Sequence, residues 1–350
     1  MENISLSSYS FFTPVGGYGI CNIGWAKHLT RLGVNVYCAP DFSPQQGSNE
    51  WTMLNDEEKE LFKKPFKQEK IGISGTTPFE FHRNNSEIKI AMTMAESSRL
   101  GKQWVDSCNS MTHIIVPNEF FERVFRESGV TQPITIIPSG IDLENYPYYE
   151  RPERDVFTFG ICGYLNERKG AKELIRAFAS EFNNSEPVKL KLHTSNAFFR
   201  YYSQFKDPRI ELTYQYKTFS QLNEFYKSLD CFVFPSKAEG IGYPPREAMA
   251  TGLPVIVTNY SGLEEVANAE FAYPITVKDR SARIDMLEQP GDWAEIDIAE
   301  LMYLMRYVYE NQKEARKKGK KASEKIKEMY FWPNCAKKFV DFLKQYDRSN

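Results

Sequence analysis

Short apolar segments rich in β-branched residues alternate with segments of helical periodicity along nearly the whole chain. This alternation is typical of parallel α/β units, in which a helix connects neighbouring strands. The chain has 350 residues, more than one hydrophobic core usually serves. We therefore predict two doubly wound α/β domains. The predicted strands cover 4–8, 34–38, 70–74, 89–94, 113–117 and 134–138 in the first domain, and 156–162, 188–193, 210–214, 231–235, 254–258 and 271–275 in the second.

The alternation breaks near residue 142, and the stretch 144–154 that follows is rich in tyrosine, proline and charge, as linkers often are. We predict a first domain over 1–143, a second over 144–330, and a C-terminal helix in 331–350 that packs back on the first domain. The predicted helices cover 20–32, 120–128, 171–182, 220–229, 245–251, 298–327 and 331–346.

Composition disfavours several classes of protein. Forty-four Lys and Arg against 46 Asp and Glu leave a formal net charge of −2, which gives no basic field for nucleic acid. The six cysteines are scattered, without a C-x-x-C pair or a histidine at ligand spacing, so we expect buried thiols. We therefore expect no nucleic-acid partner, no disulfide framework and no metal site.

The sequence also bears on location. The first ten residues lack the pattern of a signal peptide, and no apolar run approaches the roughly 18 residues that span a bilayer. We expect a cytoplasmic protein. The Lys-rich stretch 313–327 is either a solvated helix face or a weak contact with an anionic membrane surface.

Loops at the carboxyl ends of the strands are where open α/β sheets bind ligands. After the first strand, Gly16, Gly17 and Gly19 lead into a helix, where close backbone approach and free amides suit a phosphate. A dinucleotide fingerprint would need a further glycine at Asn22, and the sequence has no P-loop motif. A dehydrogenase or P-loop enzyme is disfavoured, and a plain tight turn stays open.

Two later loops carry charged residues. Arg168 and Lys169 are adjacent cations that can neutralise a departing diphosphate, although such pairs are also common on surfaces. Glu239 and Glu247 bracket a glycine-rich turn, and we predict that Glu239 points into the cleft. We place Glu247 in the first helical turn, where a carboxylate can accept two hydrogen bonds from a ribose diol. The amides of the turn suit sugar hydroxyls, and its residues are Gly240, Ile241, Gly242 and Tyr243.

The segment 239–256, with two glutamates eight positions apart followed by EAMATGLPVI, resembles the E-x7-E region of family 4 glycosyltransferases. The glycine loop at 16–19, the IPSGID segment at 137–142 and the G-x-L-x-x-x-K-G pattern at 163–170 follow in the family's order. The resemblance implies a GT-B fold of two Rossmann-like domains, a nucleotide-sugar donor bound mainly to the second domain, retention of anomeric configuration and no essential metal. The sequence agrees on the metal in that it has no strict D-x-D motif.

The resemblance also implies roles for single residues. Glu247 would bind the donor ribose, Glu239 the transferred sugar, Lys169 the diphosphate, and the amides of Gly16 and Gly17 the phosphate. No cofactor is implied beyond the donor substrate, a UDP- or GDP-sugar.

The sequence departs from the family at Tyr164, because the family usually has arginine directly after the glycine at 163. Arg168 is the candidate to replace that charge. Either diphosphate binding is rearranged or activity is weakened.

Glu96 follows the strand predicted at 89–94, near where many relatives have a histidine that contacts the donor sugar and acceptor. It is either a group that orients or deprotonates the acceptor hydroxyl or a carboxylate at a helix start.

The resemblance thus implies a glycosyltransferase that acts on a glycan, small or lipid-linked acceptor in polysaccharide or glycoconjugate synthesis. Its catalytic candidates are Glu239, Lys169 and Glu96. Two alternatives are a non-catalytic GT-B scaffold that binds a nucleotide or glycan, and a nucleotide-sugar hydrolase or epimerase.

Overall fold

A computed structural model describes residues 4–14, 16–195, 199–215, 218–284 and 289–347. Within these ranges the chain forms two six-stranded parallel sheets and a two-stranded antiparallel hairpin. Two Rossmann-like α/β domains were predicted, and this prediction is confirmed. None of the described helices is both long enough and apolar enough to cross a membrane.

The first sheet has the strand order β2-β1-β3-β4-β5-β6, so its first strand lies next to one edge, and the strands after the second extend the sheet toward the other edge. Each predicted strand is present, with ends within two residues of those expected. The strands are β1 (Ser5–Ser8), β2 (Asn35–Cys38), β3 (Ile71–Ser74), β4 (Ile88–Met92), β5 (His113–Val116) and β6 (Ile134–Ile136).

Helices cover this sheet, and capping residues determine where they begin and end. Asn118 accepts a hydrogen bond from the amide of Phe121 at the start of one helix, and Gly129 ends it at a φ of 108°. The short helices between 49 and 109 were not predicted. The helices are α1 (Gly17–Arg31), α2 (Asn49–Met53), α3 (Asp56–Lys63), α4 (Lys102–Asn109) and α5 (Glu119–Ser128).

The second sheet repeats the same plan with the order β12-β11-β10-β7-β8-β9. Its strands also lie within two residues of the predicted ends. They are β7 (Phe157–Gly163), β8 (Val188–Thr194), β9 (Ile210–Tyr214), β10 (Cys231–Phe234), β11 (Val255–Thr258) and β12 (Tyr273–Ile275). The helices between them are α6 (Ala171–Glu181), α7 (Phe199–Tyr202), α8 (Phe219–Lys227) and α9 (Tyr243–Ala250).

A hairpin of β13 (Arg280–Ile284) and β14 (Pro290–Ala294) extends from the second domain to the first. The Ser97 hydroxyl donates to the Pro290 carbonyl at 2.6 Å, and the Asp292 amide donates to the Ser98 hydroxyl at 2.8 Å. The sequence did not predict this hairpin. β13 is largely exposed and so lacks the alternation that identifies a half-buried strand.

The C-terminal part holds α10 (Ile298–Glu310), α11 (Gln312–Tyr330) and α12 (Trp332–Asp347). The prediction of one helix over 298–327 was wrong, because Asn311 leaves helical geometry at a φ of −112° and a ψ of 42°. Helix α12 packs on α1 of the first domain, where the rings of Trp25 and Trp332 meet edge to face at 5.0 Å. The chain therefore crosses between the two sheets twice. All six cysteines are buried, as predicted.

Candidate functional site

Loops at the carboxyl ends of the two sheets contact each other. Met94, just after β4, packs on the loop after β10. The contact is so close that a Cβ on Gly240 would lie 2.5 Å from the Met94 sulfur. Tyr18 of α1 supports the loop after β4, because its hydroxyl donates to the Met94 carbonyl at 3.0 Å. The predicted site residues of both domains therefore lie along one interdomain contact.

Glu239 is the centre of this contact and is only 3% exposed. Its Oε1 accepts hydrogen bonds from Lys169 Nζ at 2.6 Å and from the Ser236 hydroxyl at 2.5 Å. Arg168 Nη1 lies 2.9 Å from the same oxygen. Burial alone would raise the pKa of Glu239, but the two adjacent cations hold it well below its usual range. The carboxylate is therefore ionised at neutral pH.

Arg168 connects the two domains. Its Nη1 donates to the carbonyl of Ala238, and its Nη2 lies 2.7 Å from Oε1 of Glu96 in the first domain. Arg168 is 6% exposed, whereas Tyr164 is 51% exposed. Four predicted residues, hereafter the Glu239 cluster, are thus brought together: Glu239, Lys169, Arg168 and Glu96.

The loop 260–263 holds the backbone of Glu239 in place. The Ser261 hydroxyl accepts from the Glu239 amide at 2.8 Å, and the Gly262 amide donates to the Glu239 carbonyl at 3.0 Å. Ser261 has a φ of 57°, a left-handed conformation that is costly for a residue with a Cβ. A Cβ on Gly262 would lie 1.9 Å from the Gly240 carbonyl oxygen. No sequence motif indicates a role for either residue.

Glu247 lies in the second turn of α9, so its predicted position in the first turn was wrong. The helix begins at Tyr243, before the two prolines, because Gly242 adopts a φ of 72° that turns the chain into the helix early. The Tyr226 hydroxyl donates to Glu247 Oε2 at 2.7 Å. Among the described residues, no hydrogen bond or ion pair joins Glu247 to the Glu239 cluster.

The environment of Glu247 changes its protonation. The side chain lines a small cavity together with Asp142, Tyr146 and Tyr243. Burial raises the pKa of Glu247 to about 7, against the smaller lowering effect of its hydrogen bond from Tyr226. A carboxyl that titrates near neutrality inside a cavity is a common feature of functional sites.

Arg246, for which the sequence pattern indicated no role, fixes the turn between the two glutamates. It is 1% exposed, and it donates to the carbonyls of Ile241 and Gly262, the latter at 2.9 Å. The backbone of the turn 240–243 is therefore rigidly placed.

The glycines of the first loop have different environments. Gly16 is the N-cap residue of α1 and Gly17 begins the helix. A Cβ on Gly17 would meet no atom within 4 Å, while one on Gly19 would lie 2.0 Å from the Thr13 carbonyl oxygen. Gly19 is thus required by packing, and the helix start at Gly16 and Gly17 is open.

Within the described ranges, no three His, Cys, Asp or Glu side chains are grouped so as to hold a metal ion. The histidines have structural contacts instead. His28 stacks on Trp332 with ring centroids 5.2 Å apart, and His113 Nε2 lies 2.8 Å from the Thr135 hydroxyl.

Comparison with known proteins assigns the second domain to a family. Residues 156–289 match the family described as Glycosyl transferases group 1. The capsular polysaccharide biosynthesis glycosyltransferase CapM of Staphylococcus aureus is 31% identical over 148 residues, 40% of this chain and 38% of that protein. The chain thus spans less than half the length of this curated relative. The region from β7 through β12 lies within the match to the group 1 glycosyltransferase family.

Solved structures match the chain over almost its whole length. Sucrose-phosphate synthase from Thermosynechococcus elongatus has a TM-score of 0.76 at 16% identity, covering 99% of this chain and 100% of that one. Anabaena HepE, solved in complex with UDP-glucose, has a TM-score of 0.71 at 14% identity, with 98% and 100% covered. At these identities the likeness establishes the fold, which is GT-B.

Proposed function

We propose that the protein transfers a sugar from a UDP- or GDP-sugar to a glycan or lipid-linked acceptor, with retention of anomeric configuration and without a metal ion. The observation that carries the proposal is the buried Glu239 cluster, which lies where a group 1 glycosyltransferase domain meets the first domain. The name of the relative CapM supports a role in polysaccharide synthesis.

Lys169 and Arg168 supply the positive charge that the leaving group needs. A nucleoside diphosphate gains negative charge as the bond to the sugar breaks, and fixed cations in a water-poor site stabilise that charge strongly. Both side chains are less than a tenth exposed and are held by Glu239. In this arrangement the two side chains supply the positive charge that other transferases obtain from a bound metal ion.

The remaining donor contacts follow from the surrounding loops. Glu247 accepts hydrogen bonds from the ribose diol, and Glu239 with the amides of 240–243 holds the hydroxyls of the transferred sugar. The open helix start at Gly16 and Gly17 offers backbone amides to the phosphate from the opposite domain.

Glu96 is the acceptor-side group of the mechanism. Its carboxylate is paired with Arg168 at 2.7 Å, and a bound diphosphate competes for that guanidinium. Glu96 can then orient the acceptor hydroxyl. The acceptor oxygen bonds to the anomeric carbon on the same face from which the leaving group departs. The acceptor proton passes to the departing phosphate oxygen.

Thermal-shift measurements with nucleotides and nucleotide-sugars in EDTA test the donor site. A ligand that binds only the folded protein raises its melting temperature. We expect a shift with UDP or GDP and their sugars that is lost in Lys169→Met. Lys237→Met is the matched control, because Lys237 is equally buried and pairs with Glu173 at 2.8 Å outside the cluster. The absence of any nucleotide shift in the wild type would overturn the proposal in favour of a scaffold.

Weak membrane association belongs to the same proposal for a lipid-linked acceptor. Helix α11 exposes Lys313, Lys317 and Lys320. We expect sedimentation with anionic liposomes at low salt that disappears at about 0.5 M salt, since exposed charges are screened there. Equal sedimentation with neutral liposomes would contradict this part of the proposal.

A further inference from the structure

A large cleft lies beside the Glu239 cluster, between α5 of the first domain and the β13–β14 hairpin of the second. Its volume is about 920 Å³, within the range of pockets that hold small ligands. Five cationic side chains line it, and we call it the basic cleft. They are Arg99, Arg123, Lys278, Arg280 and Arg283.

The charge of the basic cleft differs in sign from that of the chain. Among the described residues that line it, three are carboxylates, those of Glu127, Glu264 and Asp292, against five cations. The whole chain has a formal net charge of −2. Because cations are concentrated here on a slightly acidic protein, the cleft has a local field that favours an anion.

Two of the arginines differ from the other cations of the cleft in their partners. Arg123 is paired with Glu264 at 3.0 Å, and Lys278 with Asp297 at 2.8 Å. In the described part of the chain, no carboxylate lies within 4.0 Å of the guanidinium of Arg99 or Arg280, and both residues are exposed. A guanidinium presents paired donors that match a carboxylate or a phosphate.

The walls of the basic cleft are joined to the reacting groups. Tyr260 lines the cleft, and its neighbour Ser261 holds the Glu239 amide. On the other wall, Ser98 lines the cleft two residues after Glu96, whose backbone carbonyl accepts a hydrogen bond from Trp293 Nε1 at 3.2 Å. A glycan acceptor lying in the cleft would therefore have one end beside Glu239 and Glu96, where the proposed sugar transfer takes place.

We propose that the basic cleft is the subsite for an anionic glycan acceptor, which this protein extends at the end near Glu96. This inference rests on the proposed function and names its acceptor class. The negative charge comes from carboxylates of acidic sugars or from a phosphate that links the glycan to a lipid. Both groups bind the guanidinium of Arg99 or Arg280 in the same way.

Calorimetric titrations with defined probes separate the two sources of charge. Tetragalacturonate represents an acidic glycan, its methyl ester is the uncharged counterpart, and farnesyl diphosphate represents a lipid diphosphate. The double variant Arg99→Glu/Arg280→Glu reverses charge in the cleft. The double variant Lys317→Glu/Lys320→Glu makes the same change on α11, which does not line the cleft.

We expect at least one anionic probe to bind the wild type, and the methyl ester not to bind. The cleft variant should bind at least about tenfold more weakly, the effect of losing one charge-assisted hydrogen bond, while the α11 variant binds normally. The probe that binds identifies the source of charge. The proposal is overturned if neither anionic probe binds, or if the cleft and α11 variants lose affinity equally.

Failure here is distinguishable from failure of the proposed function. Thermal shifts with UDP and GDP, measured on the same three proteins, should be equal, because neither variant touches the Glu239 cluster. A normal nucleotide shift without anion binding overturns the acceptor subsite alone. No nucleotide shift in any protein overturns the glycosyltransferase proposal itself.

Discussion

Ionisation of the buried Glu247 carboxyl lowers the free energy of unfolding near neutral pH. Its pKa is raised by burial from 4.5 to about 7, so it adds stability only while it is protonated. That contribution is complete below pH 4.5 and is lost as the pH rises through about 7. We expect Glu247→Gln to match the wild type near pH 4 and to be more stable at pH 8 by about 3 kcal/mol. Urea unfolding at the two pH values measures this, and equal stabilities at pH 8 would contradict it.

The same carboxyl predicts how donor binding depends on pH. A ribose diol donates hydrogen bonds, so the ionised form of Glu247 should bind it better. With a pKa of about 7, affinity for the nucleotide-sugar should rise about tenfold between pH 6 and pH 8. Calorimetric titration at both pH values is the measurement. In Glu247→Gln we expect weaker binding without this pH dependence, and an unchanged dependence would exclude Glu247 as its cause.

Ser261 has two opposing effects that substitutions can separate. Its left-handed φ of 57° costs free energy, and its hydroxyl satisfies the buried amide of Glu239. Ser261→Ala keeps the strain and loses the hydrogen bond, whereas Ser261→Gly loses the bond and relieves the strain. The glycine variant should therefore be more stable than the alanine variant by about 1 kcal/mol. Urea midpoints in the reverse order would show that the loop changes its conformation.

Part of the candidate site could be predicted from residue spacing. The sequence places three of its residues in segments that follow strands, and each is recognisable from its neighbours in the sequence: Lys169, Glu239 and Glu247. The contacts of Arg168 with Glu96 and of Ser261 with Glu239 join segments far apart in the sequence, and no periodicity encodes such pairings. The early start of α9 depends on the conformation of Gly242, which the sequence allows without specifying it.

At the scale of elements, the packing of α12 on α1 depends on a missing side chain. A Cβ on Gly24 would lie 2.2 Å from the Trp332 ring, so Gly24→Ala must push α12 away from α1. We expect a loss of about 1–3 kcal/mol, the usual effect of overpacking. Gly17→Ala is the control, since a Cβ there meets nothing within 4 Å. Denaturation monitored by tryptophan fluorescence compares the two, and equal losses would contradict this packing.

The strands of both sheets were predictable because buried parallel strands are short runs of β-branched and apolar residues between turn residues. The failures occurred where burial is weak or local geometry decides. Strand β13 of the hairpin is mostly exposed, α2 has no buried residue, and the break at Asn311 lies inside a pattern that remains helical on both sides.

At the scale of the whole molecule, the contacts that hold the domains together include α12 on α1, the hairpin on the segment 96–101, and Arg168 on Glu96. The last lies inside the candidate site, so binding of the donor diphosphate should alter an interdomain ion pair. Such a contact can link donor binding to the placement of the acceptor.

The most direct test of the central claim is to detect the transfer itself. The nucleotide-sugar selected by thermal shift is incubated in EDTA with an anionic glycan acceptor, and proton NMR follows the anomeric signals. We expect a new glycosidic bond with the donor's configuration, formed by the wild type and by Lys237→Met but not by Lys169→Met. No product with the wild type, or a product of inverted configuration, would contradict the account.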